Sequence, residues 1–206
     1  AHGGAAGAAI RLAESQRRRG HDARMLVREK STNLPFIEAI DMRDDTARAM
    51  GPSVARLSWL FSERARTSPD LKFTGDAASC DVVSHPLVRD ADVLHLHWVA
   101  GFLSSHAIGR LQALGTPLVW TLHDEQPFTG GCHYAGECGR FKSSCGACPQ
   151  LVPDARALAS RSLAQKRTHI DPSRLVAAAP SRWLAAAARR SSLFRTTRVE
   201  VVPYGI

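Results

Sequence analysis

The sequence predicts an α/β fold built on a parallel sheet with helices packed on its faces. Helix and strand signals alternate along most of the chain. A glycine pair, Gly3-Gly4, stands directly before an alanine-rich helical stretch. Two short apolar segments, ending in His97 and at His123, flank a helix in the order strand, helix, strand.

Gly3-Gly4 opens a helix expected from about Ala5 to Arg19, with Gly20 as its stop, and Ala23-Arg24-Met25-Leu26-Val27 reads as the next strand. Residues 28 to 52 are polar and weakly patterned, and Ser53 caps an expected helix from Val54 to Arg66. Asp92 to His97 reads as a strand, Leu103 to Leu114 as a helix closed by Gly115, and Pro117 to Leu122 as a strand. Pro153-Asp154 starts a helix reaching about Thr168. Arg174 to Ala178 is a strand, Ser181 caps a further helix, and Val199 to Val202 is the last strand. The alternation corresponds to a Rossmann-like sheet flanked by helices, in which ligands bind outside the carboxyl ends of the strands.

At 206 residues, 44% hydrophobic and 22% charged, the chain has the composition of one globular domain. No apolar run approaches the length of a membrane span and no secretory signal is visible, while the opening at Ala1 without a methionine reads as a cut start. The net charge of +8 rests on arginine, since only Lys30, Lys72, Lys142 and Lys166 are lysine. Such a surface attracts phosphates or anionic lipid. Aromatic residues do not interleave with the arginines near the end of the chain, apart from Trp183 and Phe194, so a nucleic-acid face is poorly supported.

Four of the five cysteines fall in one segment over residues 129 to 149, spaced C-x5-C-x6-C-x2-C at Cys132, Cys138, Cys145 and Cys148. The pair Cys145-Gly146-Ala147-Cys148 is a two-residue knuckle of the kind that bends a chain around a tetrahedral ion, so a structural zinc held by these four sulfurs is expected. Two disulfides and four unligated thiols remain open as readings of the same spacing. The zinc reading favours a reducing, cytoplasmic setting. His133 is expected to pack near the loop, and Cys80 to be a small buried residue.

His97 and His123 both end strands. If those strands are neighbours, the two imidazoles face one crevice, and the Gly3-Gly4 turn belongs to the same rim, where free amides of a helix start suit a phosphate. His123, with Asp124 beside it, titrates near neutrality as acid, base or hydrogen-bond donor and is the first candidate for chemistry. One of His95 and His97 is expected on the opposite face as a structural histidine. Trp98 and Trp120 are expected to be packing residues.

Taken together, several segments resemble the N-terminal domain of GT-B glycosyltransferases of family 4, especially bacterial exopolysaccharide and colanic-acid-type members. They are Gly3-Gly4-Ala5-Ala6, Gly20-His21-Asp22, His85-Pro86-Leu87, Ala91 to Trp98, Val119 to Asp124, Pro127 to Tyr134 with the later cysteines, and Ala179 to Leu184. The resemblance implies a retaining transfer of sugar from a nucleotide-sugar donor to a glycan or lipid-linked acceptor, with no catalytic metal. It implies His123 as the active-site histidine, and Gly3, Gly4, His97 and Asp124 around donor diphosphate and acceptor. It further implies that residues 1 to 206 form the acceptor-side domain, without its first strand. The donor domain would begin past Ile206, and the 206 residues alone would not turn over. A cytoplasmic place, at the inner face of the membrane, follows from such an acceptor. Tyr204 stands where the family more often has asparagine, and Glu125-Gln126 where it has methionine and tryptophan. The alternative is a zinc-stabilised basic module binding nucleic acid or anionic lipid without catalysis. A dinucleotide enzyme is disfavoured, since G-x-G-x-x-G is missing from the chain.

Overall fold

Gly3 takes φ +98°, a backbone open to glycine, and so turns the chain into helix α1 (Gly4–Arg18). Gly20, at φ +90°, ends that helix with its N–H on the Arg17 carbonyl. The computed structural model describes residues 3–40, 63–77 and 80–205. Strand β1 (Met25–Val27) then pairs in parallel with β2 (Ile37–Ala39), packing Phe36 and Ile37 against Ala13 of α1. A four-residue helix, α2 (Pro86–Arg89), is started by His85, whose Nδ1 accepts from the Leu87 N–H at 3.2 Å.

The main sheet consists of β3 (Leu94–His97), β4 (Leu118–Thr121), β5 (Val176–Ala179) and β6 (Arg198–Val201), all parallel and in that spatial order. Leu94 pairs with Leu118, Leu96 with Trp120, and Trp120 with Ala177, so one face carries an apolar row. Helices α3 (Ser105–Ala113), α4 (Ala157–His169) and α5 (Arg182–Arg190) make the connections. Ser104 and Ser181 cap α3 and α5, each Oγ accepting a backbone N–H at 3.2 Å. Ile108 and Leu111 of α3, Leu163 of α4 and Leu184 of α5 join one core with Leu94, Leu96, Trp120 and Phe194.

The cysteine-bearing segment is irregular and held from three sides. Cys132 bridges to Phe73, Leu151 bridges to Arg66, and the buried Lys166 ammonium donates to the carbonyls of Gln126 (2.5 Å) and Thr129 (3.0 Å). Burial lowers the Lys166 amine to about 8, against Asp76, which raises it. At Gly130 a Cβ would stand 2.3 Å from the Ala159 carbonyl oxygen, and at Gly131 2.7 Å from the Phe73 ring. The glycine pair thus lets the loop lie against α4 and Phe73.

The α/β sheet flanked by helices agrees with the expected architecture, with strand ends shifted by one or two residues. Helix α2 and strand β2 were not expected, being too short for a periodic signal. The Ser53-capped helix lies almost wholly outside the described residues. Among the described residues no helix is long and apolar enough to cross a membrane.

Candidate active site

Parallel pairing sets His97 opposite Thr121, so His123, two residues further along the chain, leaves the sheet at the edge where His97 does. The imidazoles meet, His97 Nδ1 lying 3.1 Å from His123 Nε2. The other nitrogen of His123, Nδ1, lies 2.6 Å from the Tyr204 hydroxyl, and the Tyr204 ring stacks on the imidazole at 5.6 Å. The two bonds are coupled: a Tyr204 hydroxyl donating to Nδ1 leaves the hydrogen on Nε2, which then donates to His97.

His95 belongs to the same group, contrary to the expectation that one of His95 and His97 turns away. Side chains two residues apart on a strand point to the same face, and the His95 and His97 rings lie 4.2 Å apart. His95 Nε2 lies 2.8 Å from the Thr121 hydroxyl, whose residue pairs with His97. Burial and then the neighbouring imidazoles lower His97 to about 3, and burial followed by His123 lowers His95 to about 4. Burial also holds His123 below its ordinary value, against Asp124, which raises it. The three rings are therefore neutral at physiological pH.

Asp124 points inward. Its Oδ2 accepts from His133 Nδ1 at 2.7 Å and from the Trp98 indole N–H at 2.9 Å, while Oδ1 accepts from the Gln126 N–H at 2.9 Å. His133 is buried, and its Nε2 lies 3.0 Å from the Thr74 hydroxyl. Burial raises the Asp124 carboxyl, yet the His133, Gln126 and Trp98 bonds together bring it below its ordinary value. The carboxylate is thus committed to holding the cysteine-bearing loop and Trp98.

Trp98 is 43% exposed and sits at φ +23°, where the sequence led us to expect a packing residue. Trp120 does pack, 2% exposed, against Phe194. Gly3 and Gly4 have open space where a Cβ would stand. By connectivity, α1 runs back along the strand that follows it, which sets its start towards the edge where β1 ends. Arg28, just past β1, donates to the Gly101 carbonyl at 2.9 Å, just past β3. No hydrogen bond or ring contact among the described residues joins the glycines to the histidines.

The expected zinc knot finds no support in the geometry. Among the described residues no cysteine forms a disulfide, and no group of three or more His, Cys, Asp or Glu side chains is set to hold a metal ion. Cys132, Cys138, Cys145 and Cys148 nonetheless line one small cavity with Phe73 and Phe141. Burial pushes the Cys132 thiol up to about 12 and Cys145 up to about 11. Cys80, 1% exposed, is buried as expected.

Tyr204, Trp98 and His133 are the site residues that sequence reading did not select. The first lies in a tail past the last strand, where no periodic pattern operates. Trp98 carried a usable signal, because it directly follows the strand-ending His97 and so falls on the ligand edge of a parallel sheet.

A Rossmann-like α/β domain with polar side chains gathered at the carboxyl ends of its strands is the class that fold and site define. The sequence matches the family described as Glycosyl transferase 4-like domain over residues 3–205, and the chain belongs to that family. It is therefore a glycosyltransferase domain, whose substrates are a sugar donor and an acceptor. No curated protein and no solved structure matches the chain.

Proposed function

We propose that the chain is the acceptor-side domain of a retaining glycosyltransferase that moves a sugar from a nucleotide-sugar to a glycan or lipid-linked acceptor in polysaccharide synthesis. The observation that carries the reading is the His123 imidazole at the carboxyl edge of β4, bridged between His97 and Tyr204. An imidazole held below its ordinary value is a weak base, so its role is to hydrogen-bond hydroxyls of the reacting sugars and not to abstract a proton. Open amides at the start of α1, with no side chain at Gly3 or Gly4, suit the donor diphosphate as it leaves. The net charge of +8 suits an acceptor on an anionic membrane face, in the cytoplasm.

Full-length protein carrying His123→Ala tests this, with transfer from a radiolabelled nucleotide-sugar followed against wild type. The rate is expected to fall about 100-fold or more. Unchanged transfer would remove His123 from the reaction.

The cysteine cavity is proposed as the seat of a structural zinc. The donor set fits by chemistry, four sulfurs around one cavity, with Gly130 N–H donating to Cys145 Sγ at 3.3 Å. Cys132, Cys138, Cys145 and Cys148 would hold the ion, which would cross-link the loop and take no part in transfer.

A further inference from the structure

Half-exposed tryptophan on a strained backbone is an unusual use of a large apolar side chain. Trp98 is 43% exposed at φ +23°, a conformation that bulky residues avoid. Strain of this kind persists only where surrounding structure imposes it, and here the restraint is visible. The indole N–H is fixed at 2.9 Å to Asp124, whose carboxylate is itself held at 2.7 Å by the buried His133. A buried carboxylate–imidazole pair thus fixes the edge of a half-exposed ring that follows His97 in the chain.

Two further exposed aromatics surround the same carboxylate. Tyr134, 62% exposed, directly follows His133, and Tyr204, 43% exposed, bonds His123, the residue before Asp124. The hydrogen bonds of Tyr204 to His123 and of His133 to Asp124 bring both tyrosines to the residues around this carboxylate. The Lys72 ammonium lies over one face of the plate, 5.7 Å from the Trp98 ring centre, and a sugar stacks on that face by displacing this mobile side chain or beside it.

An apolar plate with a hydroxyl and an imidazole near it and an ammonium over it complements one chemistry well. A pyranose ring presents C–H bonds on its face and hydroxyls around its rim. The C–H bonds pack on the electron-rich face of an indole, and the hydroxyls take hydrogen bonds from the surrounding groups. A planar nucleobase would use the plate but leave the polar edge idle, and an acyl chain would leave it unsatisfied.

We propose that Trp98, with Tyr134 and Tyr204 at its rim, is a stacking subsite for one pyranose ring of the acceptor. The inference rests on the acceptor-side reading above and names the part of the chain that grips the sugar. Asp124 and His133 act through the indole as positioning residues, which explains why a carboxylate next to His123 turns away from it.

Saturation-transfer NMR on the intact chain tests the subsite, with the methyl α- and β-pyranosides of glucose, galactose and mannose as probes. Wild type is expected to saturate the ring C–H protons of at least one of them. Trp98→Ala should bind about tenfold more weakly, the scale of one lost stacking contact, while Trp98→Phe keeps most of the signal. If Trp98→Ala does not fold, Trp98→Leu fills the volume without a π face and should show the same loss. Equal saturation in wild type and the alanine or leucine variant overturns the proposal, as does saturation by none of the six probes. The two readings fail separately: transfer that survives His123→Ala defeats the catalytic one, whereas saturation unchanged by Trp98→Ala defeats the subsite.

Discussion

Lowering the pH from 7 to 5 should unfold this domain far more readily than its composition suggests, because His95 and His97 are neutral in the fold. In the unfolded chain each imidazole takes up a proton near the ordinary value of about 6.5. Folded, they do so only at about 4 and about 3, burial being the main cause. Between those limits the unfolded chain binds more protons, so stability falls as pH falls, by about 1.4 kcal/mol per group per pH unit. From pH 6.5 to 5, two groups give ~4 kcal/mol as an upper figure, and their partial contact with solvent reduces it to ~2–4 kcal/mol. That is a large share of the ~5–15 kcal/mol that holds a typical domain. His123, held low by burial, acts in the same direction. Asp76 and Glu125, raised by burial, act against it, since the folded chain takes up their protons first as pH falls. Asp124, lowered by its bonds, loses its contribution only as pH falls below the ordinary carboxylate value of about 3.9, outside the window. Urea midpoints at pH 7, 6 and 5 measure the effect. The double variant His95→Gln with His97→Gln should lose less than half as much stability over that range as wild type. Equal midpoints at pH 7 and 5 in wild type, or the full slope in the variant, would refute the assignment of neutral buried imidazoles.

Gly130→Ala should cost ~1–3 kcal/mol in urea denaturation, because its Cβ would stand 2.3 Å from the Ala159 carbonyl oxygen and helix α4 would have to move. Gly139→Ala, where the nearest atom is the mobile Lys142 amine at 3.4 Å, should stay within ~0.5 kcal/mol and serves as its control. His133→Ala should destabilise by ~3–5 kcal/mol, since Asp124 is left buried with its partner removed; a loss under ~1 kcal/mol would mean that water reaches the carboxylate. For the cysteine cavity, elemental analysis of purified protein should find about one zinc per chain, and a chelator should lower the melting temperature. Zinc-free protein melting at the same temperature would rule the ion out.

The main sheet was readable because its strands repeat with period two and its helices carry their own start and stop residues. Ser181 and Gly20 are local signals, and both act in the structure as caps and stops act in isolated helices. Strand β2 and helix α2 had no such signal, since three or four residues cannot display a period. The approach of His97 to His123 was readable from two strand ends and the assumption that the strands are neighbours, which the pairing of β3 with β4 supplies. The inward turn of Asp124 was not readable. It depends on His133 and Trp98, nine and 26 residues away in sequence, and on the loop that folds them over the carboxylate. The cysteines are a strong local pattern, and the structure brings Cys132, Cys138, Cys145 and Cys148 to the lining of one cavity, but spacing alone does not say what the four sulfurs hold.

His123-Asp124 reads in sequence as a carboxylate beside the base it would activate, but both residues lie in a bend past the end of β4 and their side chains take different partners. The fold uses that bend to separate two tasks. Asp124 spends its hydrogen bonds on His133, Gln126 and Trp98, stiffening the wall of the site and the cysteine-bearing loop behind it. His123 is left without a carboxylate partner and keeps company with His97 and Tyr204, neutral groups that orient it without charging it. A neutral ring has one donor and one acceptor, met here by His97 and Tyr204, and a sugar hydroxyl that enters the site exchanges for one of these neutral partners without separating charge. Substituting Asp124 should therefore disturb the wall and the loop before it disturbs the charge state of His123, the reverse of what a catalytic pair would show.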